Sequence, residues 1–387
     1  VTAVDTGRTD LEGRPIADLE LSGEPAPRRT LIAQGGYSTD EGVRVEGRFQ
    51  NRNFFPPEGT LTLRGVVGTL EQRAGVEVRK SNFGKRDRFL AAGGEFANED
   101  RPAFEATSFR IGAAAGREST PIWQKRWVWQ SGAELIFSEE RATAASIERV
   151  RDTLGALLLP EGHASTQSLL DALADGDPRQ RFLIAALPAS GGFDGSNDLL
   201  DPTSGFRVGL RFSPEAALQG GETRAYVRLQ LDASAYLTPA RIAEGPLTLA
   251  ARGRIGSIVG TDTFDIAPSR RLYAGGGGSV RGYSFQGLGP QLVGADGERR
   301  PIGGRGLTEA SVEARYRFGD FGVVAFVDGG QLVVDGRPRF DGMRFGAGLG
   351  ARYYTSFGPI RLDIARAIDR RPDDPQVVLY ISIGQAF

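Results

Sequence analysis

Residues Gly275 to Gly278 are four consecutive glycines that run directly into Ser279, Val280, Arg281, Gly282 and Tyr283. Glycine-rich stretches often cradle phosphate. A P-loop, however, ends in Gly-Lys-Ser/Thr, and a dinucleotide loop opens a helix with G-x-G-x-x-G. Here an arginine stands where either pattern needs another residue, and no helical period follows. Nucleophilic and metal chemistry have little else to draw on. The chain has no cysteine and one histidine, His163, which lies in a segment of helical spacing with no strand to hold a Ser-His-acid arrangement. No catalytic residue, metal site or cofactor is expected, so the stretch takes its meaning from the elements around it.

The dominant period is two. In the tail QVVLYISIGQAF, Val377, Leu379, Ile381, Ile383 and Phe387 share one face, and Val378, Tyr380, Ser382, Gly384 and Ala386 share the other. PIRLDIAR sets Ile360, Leu362 and Ile364 against Arg361 and Asp363. TEASVEARYRF sets Ala310, Val312, Ala314, Tyr316 and Phe318 against Glu309, Ser311, Glu313, Arg315 and Arg317. ETRAYVRLQLDASAYL alternates in the same way from Arg224 to Ser234. Such segments run for roughly nine to fourteen residues, longer than the usual ~5–6 of globular strands and close to the ~9–11 that cross a bilayer at a tilt. A soluble protein would need helices or a second sheet to cover so many apolar faces. Almost none are available, and lipid is the simpler cover.

About sixteen such segments follow between Thr30 and Phe387, an even number that suits an outer-membrane barrel. With both chain ends in the periplasm, short turns such as Gly319-Asp320 and Thr355 to Gly358 fall on one side. Longer connections fall on the other, including 259–304 with its glycine-arginine motif. Trp123, Trp127 and Trp129 cluster near one strand end, as an interfacial aromatic girdle does. Two regions break the pattern. Residues 141–181 have helical spacing at Ile147, Val150, Leu154 and Leu157 and read as an extracellular insert. Residues 1–27 hold one candidate strand, PIADLELSG, too polar for lipid, and read as the end of a preceding domain; the barrel occupies 28–387.

The net charge is −1, which argues against nucleic acid held by bulk charge. Three lysines (Lys80, Lys85 and Lys125) stand against forty-four arginines. Genomic base composition and the guanidinium's own chemistry account for that imbalance equally well.

Taken together, GGGGSVRGY, FVDGGQ (Phe326 to Gln331), DGSNDLLDPTSGFR (Asp194 to Arg207), FGPIRLDIA and the terminal SIGQAF resemble the BamA/TamA superfamily of outer-membrane insertases, with TamA-type barrels as the nearest likeness. The resemblance covers nearly the whole chain from about Pro27. It implies an all-β fold: a 16-stranded antiparallel transmembrane β-barrel, preceded by periplasmic POTRA domains, with a long sixth extracellular loop folded into the lumen. Residues 1–27 then resemble the junction with the last POTRA domain. The resemblance also places Arg281, with Gly282 and Tyr283, against the barrel wall. Alternation independently turns Glu313 and Asp328 inward, where they can receive a guanidinium fork. The plainer alternative is a glycine-rich surface loop with an incidental arginine.

The same resemblance implies a lateral gate at the seam between the first and last strands. Gly35 and Gly36 lie in the first, and Gly384 and the terminal aromatic Phe387 in the last. Glycines weaken a ladder, and a seam short of partners offers unpaired N–H and C=O groups to an incoming strand. The expected protein sits in the bacterial (Gram-negative) outer membrane and inserts client outer-membrane or autotransporter proteins. Its expected partners are the lipid bilayer and a TamB-like periplasmic bridge protein. The alternatives are a passive anion-preferring porin-like channel, with the infolded loop as its constriction, and an outer-membrane hydrolase, which the isolated His163 disfavours.

Overall fold

Alternation along the chain becomes two faces of one closed cylinder. A computed structural model describes residues 2–9, 15–20, 27–119, 124–142, 179–242, 245–293, 299–355, 358–371 and 374–383. The wall is built in chain order from β3 (Arg29–Ser38), β4 (Gly42–Phe55), β5 (Gly59–Gly68), β6 (Glu71–Ser81), β7 (Arg88–Arg101), β8 (Phe104–Arg117) and β9 (Trp127–Ala142). It continues through β10 (Arg179–Ala186), β11 (Ala189–Asp194), β12 (Gly205–Gln219), β13 (Glu222–Ile242) and β14 (Gly245–Val259). The circle is completed by β17 (Gly306–Phe318), β18 (Phe321–Val333), β19 (Arg344–Thr355), β20 (Gly358–Ala367) and β21 (Val378–Ile383), which returns to β3. β10 and β11 lie end to end between β9 and β12 and form one crossing, so the antiparallel barrel has 16 strands. The break falls at Leu187 and Pro188, because proline has no N–H to give to the ladder.

Exposure along these strands is the reverse of a soluble sheet. Val312, Leu349 and Ile364 are 57%, 68% and 51% exposed, while Glu313, Asp328 and Asp363 are fully buried. Only a surrounding apolar phase makes that arrangement favourable. Aromatic residues gather at the rim where β9, β12 and β18 begin. Trp127 meets Phe193 edge-on at 5.0 Å, Phe193 meets Phe206 at 5.3 Å, and Phe321 meets Tyr353 at 5.2 Å. Rings with one wet side favour that depth. Trp123 lies outside the described residues. Among the described residues, no helix is long and apolar enough to cross a membrane.

The expected asymmetry of the connections is only partial. At the rim that carries the long loop, β3–β4, β5–β6, β7–β8 and β12–β13 are joined by two or three residues. At the opposite rim, residues 118–126 and 195–204 are longer links. Local turn chemistry sets these lengths. Gly42 adopts φ +76°, and the Val43 N–H donates to Thr69 Oγ1 at 3.1 Å, which fastens two tight turns to each other.

The sixth connection at that rim, 260–305, folds inward. It contains two short 3-10 turns (Thr263–Asp265 and Pro268–Arg270) and a small hairpin of β15 (Gln291–Val293) and β16 (Arg299–Pro301). Ile266, Ala267, Val280, Tyr283 and Leu288 from the loop pack with Ile136, Phe182, Ile184, Ile258 and Leu332 of the wall into an apolar core inside the barrel. The space left free lies against the other wall, β4 to β9. It is a cavity of about 1240 Å³ with Arg64, Arg79 and Arg110 facing Glu77, Glu95 and Glu134.

The reading of 141–181 as one insert needs trimming at both ends. Arg141 and Ala142 extend β9, and Arg179 to Arg181 begin β10; residues 143–178 and His163 lie outside the described residues. Ahead of the barrel the expected single strand has a partner: β1 (Thr2–Thr9) pairs antiparallel with β2 (Pro15–Glu20).

The two faces can be checked by labelling. Glu77 lines the cavity, and its neighbour Val78 is 39% exposed on the alternate face. In liposomes, Glu77→Cys should react with a water-soluble maleimide, and Val78→Cys should react only with a lipid-confined reagent. Equal aqueous labelling of both would mean that the apolar face does not meet lipid.

Candidate functional site

Arg281 enters the lumen at the tip of the long loop, and three strands supply its partners. Its Nε and Nη2 grip Asp328 on β18 at 2.7 and 2.9 Å, a two-pronged contact that the Arg281 backbone N–H extends to Asp328 Oδ2 at 3.1 Å. Nη2 lies 2.7 Å from Glu313 Oε1 on β17, and Nη1 donates to Asp363 Oδ2 on β20 at 3.1 Å. The Phe326 ring lies beneath the guanidinium, 3.4 Å from its central carbon. The arginine side chain is 3% exposed and all three acids are fully buried. Burial alone would push the Arg281 pKa down. Hydrogen bonds to Asp328 and the charges of Asp328, Glu313 and Asp363 overcome that and raise it.

Such close approach needs missing side chains. On β19, Gly346, Gly348 and Gly350 occupy every second position and face inward. A Cβ at Gly346 would lie 2.0 Å from the Arg281 carbonyl oxygen, one at Gly348 2.4 Å from the Phe326 ring, and one at Gly350 2.1 Å from Asp363 Oδ1. Gly282 adopts φ +97°, and a Cβ there would meet the Arg366 backbone at 2.5 Å. Loop and wall are therefore cut to each other. Tyr283 is fully buried, and its hydroxyl donates to the Phe345 carbonyl at 3.1 Å.

The structure thus brings together Arg281, Gly282, Tyr283, Glu313 and Asp328. It adds Asp363, Phe326 and the β19 glycines. Charges continue outward from this group: Arg315 Nε donates to Glu313 Oε2 at 2.8 Å, and Arg352 Nη1 to Asp363 Oδ1 at 2.5 Å. A second anchorage, absent from the sequence reading, holds the same loop to another part of the wall. The Ser269 N–H and hydroxyl donate to Glu140 of β9 at 2.8 and 2.6 Å. Arg270 Nε donates to Glu215 Oε2 of β12 at 3.0 Å, and its Nη2 also reaches that carboxylate. Glu140 and Glu215 are 1% and 3% exposed, so each acid is almost wholly committed to the loop and its neighbours.

The seam has a different character. Among the described residues, β21 and β3 share two register pairs, Tyr380 with Ser38 and Ile381 with Tyr37. The ladder of β12 with β13 has fifteen pairs and that of β19 with β20 has ten. Pairing stops where Gly36 and Gly35 begin. Gly384 and Phe387 lie outside the described residues.

A barrel with an apolar exterior, a charged lumen and an infolded loop pinned by a buried arginine defines a transmembrane β-barrel with a plugged lumen. Residues 53–387 match the model of the Omp85 superfamily domain, and the chain belongs to that superfamily. The chain is an integral outer-membrane protein. Its fold is similar to that of BamA from Haemophilus ducreyi lacking POTRA domains 1–3, with TM-score 0.70 and 16% identity over 92% of this chain and 70% of that one. It is also similar to CdiB from Acinetobacter baumannii (TM-score 0.53, 12% identity, 99% of this chain and 64% of that one). CdiB from Escherichia coli gives a TM-score of 0.54 at 11% identity, over 97% of this chain and 66% of that one.

Removing the central cation would leave three buried carboxylates facing one another. Arg281→Ala should destabilise the barrel by about 3–5 kcal/mol, and Arg281→Lys should recover only part of this, because an ammonium cannot make the two-pronged contact. The heat-induced mobility shift on semi-native gels reads this directly. An Arg281→Ala barrel as heat-resistant as its parent would mean that the cluster carries no stability.

Proposed function

We propose that the chain is a TamA-like insertion factor that admits client β-strands laterally between β3 and β21, without covalent chemistry. The observation that carries this reading is the seam. Each net backbone hydrogen bond contributes only about 0.5–1.5 kcal/mol, so a closure with two register pairs among the described residues separates more readily than a ladder of ten or fifteen. An open edge then offers the N–H and C=O groups that an incoming strand needs. The clients are outer-membrane proteins, autotransporters among them. A TamB-like periplasmic bridge protein is the proposed partner on the inner side, and the β1–β2 hairpin is the proposed remnant of a POTRA domain at the barrel entrance.

The passive-channel reading has less support. The free part of the lumen carries Arg64, Arg79 and Arg110 but also Glu77, Glu95 and Glu134. Balanced charge of that kind gives an anion no strong preference.

The register fixes the test. Tyr37 and Ile381 face each other across the seam and are both exposed outward, at a spacing that antiparallel neighbours bridge with a disulfide. Oxidised Tyr37→Cys/Ile381→Cys barrel should fold normally and lose client insertion into liposomes, with recovery on reduction. A control crosslink within the continuous ladder of β17 and β18, Val312→Cys/Val327→Cys, should change nothing. Insertion at the parental rate through a crosslinked seam would rule out lateral entry, and ion conduction as the only activity would favour the channel.

A further inference from the structure

Tyr380 belongs to both regions described above. On its strand it is a seam residue, paired with Ser38 of β3 on one side and with Asp363 of β20 on the other. Its side chain points into the lumen and is 3% exposed. There its hydroxyl accepts the Gly282 N–H at 3.2 Å and donates to the Tyr283 carbonyl at 3.5 Å. Its ring lies where a side chain at Gly277 would be, since a Cβ there would come within 2.8 Å of the ring. The loop tip therefore grips the last strand by a hydrogen bond to the residue next to Arg281 and by a glycine hollow shaped to the ring.

We infer that Tyr380 is a latch through which the infolded loop holds the seam closed. Arg281, fixed by Asp328, Glu313 and Asp363, fixes the neighbouring Gly282 N–H. That N–H positions the Tyr380 hydroxyl, and Tyr380 carries one of the two register pairs that join β21 to β3 among the described residues. Just above it, the Thr39 N–H donates to the Leu379 carbonyl at 3.1 Å, and the Leu379 N–H to Thr39 Oγ1 at 3.2 Å. The loop's hold on the Tyr380 hydroxyl does not itself cross the seam: it fixes the height of Tyr380 on β21, a strand that six pairs join to β20, and so holds in place the edge on which the described bonds to β3 depend. Displacing the loop tip would let that edge shift and weaken those bonds, so loop movement and seam opening become coupled. What this means for client entry rests on the lateral-opening reading, but the coupling itself can be measured with no client present.

A buried tyrosine that merely satisfies a nearby backbone N–H would make the same contacts without coupling anything. Amide hydrogen exchange at Thr39 and Leu379, whose N–H groups point into the seam, separates the two. Tyr380→Phe keeps the ring and removes the hydroxyl. In the barrel in lipid nanodiscs it should speed exchange at both amides by about two- to tenfold, with the β12–β13 amides unchanged. Arg281→Ala should speed the same two amides, and the double variant should exceed the larger single effect only slightly, since both act through one path. Gly277→Ala, which crowds the ring from the loop side without altering β21, should act like Tyr380→Phe and serves if that variant folds poorly. Parental exchange at Thr39 and Leu379 in the folded single variants would overturn the latch. So would effects that multiply in the double variant, because the loop and the tyrosine would then act independently.

Discussion

A guanidinium taken out of water is tolerated only when carboxylates and hydrogen-bond acceptors surround it, and much of this lumen is arranged around that condition at Arg281. Three acids from three strands meet one side chain that arrives from a loop. To bring them within reach, β19 gives up side chains at Gly346, Gly348 and Gly350, and Phe326 lies flat under the cation. The acids impose a condition of their own: Glu313 and Asp363 each hold a further arginine, Arg315 and Arg352. A change at any one of these positions leaves a buried charge short of its counterpart. The second half of the barrel is thereby made rigid, while the first half keeps an open cavity.

The faces of the strands were legible in the sequence, and their heights were not. Alternation turned Glu313 and Asp328 inward, and it put Asp363 on the polar side of its strand as well. Nothing in the period said that Asp363 would stand level with Arg281, because height depends on how each strand is staggered against the next. The same limit hid the role of the β19 glycines, whose close contacts depend on which side chains stand level with them. The second anchorage was further out of reach, since Ser269 and Glu140 are 129 positions apart and Arg270 and Glu215 are 55 apart. No local pattern marks either acid as a partner of the loop. At the seam the glycine signal pointed to Gly35 and Gly36, and the described ladder ends at Tyr37, immediately beside them.

The excess of arginine over lysine takes on meaning inside the barrel. Arg73 alone contacts Glu71, Glu95 and Glu99 at 2.8, 3.0 and 2.8 Å through three different nitrogens. Arg64 takes both oxygens of Glu46 at 2.9 and 3.0 Å, and Arg270 takes both oxygens of Glu215. A lysine has one nitrogen, as in the contact of Lys125 with Asp87 at 2.9 Å. A planar fork can stitch neighbouring strands where the acids lie on different staves of the wall. Base composition can still account for the exposed arginines, but it does not account for this geometry.

The two loop anchorages hold two separate arcs of the barrel wall. Glu140 and Glu215 hold the loop to β9 and β12, and Glu313, Asp328 and Asp363 hold it to β17, β18 and β20. A segment fastened at both arcs resists deformation of the cylinder in a way that a loop fixed at one arc cannot. Among the described residues the seam is the part of the cylinder with the fewest register pairs, so it depends most on such bracing. The brace reaches β21 through Tyr380, which places the Arg281 cluster one hydrogen bond away from the seam. In the proposed latch, stability and the capacity to open would be set by the same loop: the fewer bonds the seam makes for itself, the more its closure would be decided by where Arg281 sits.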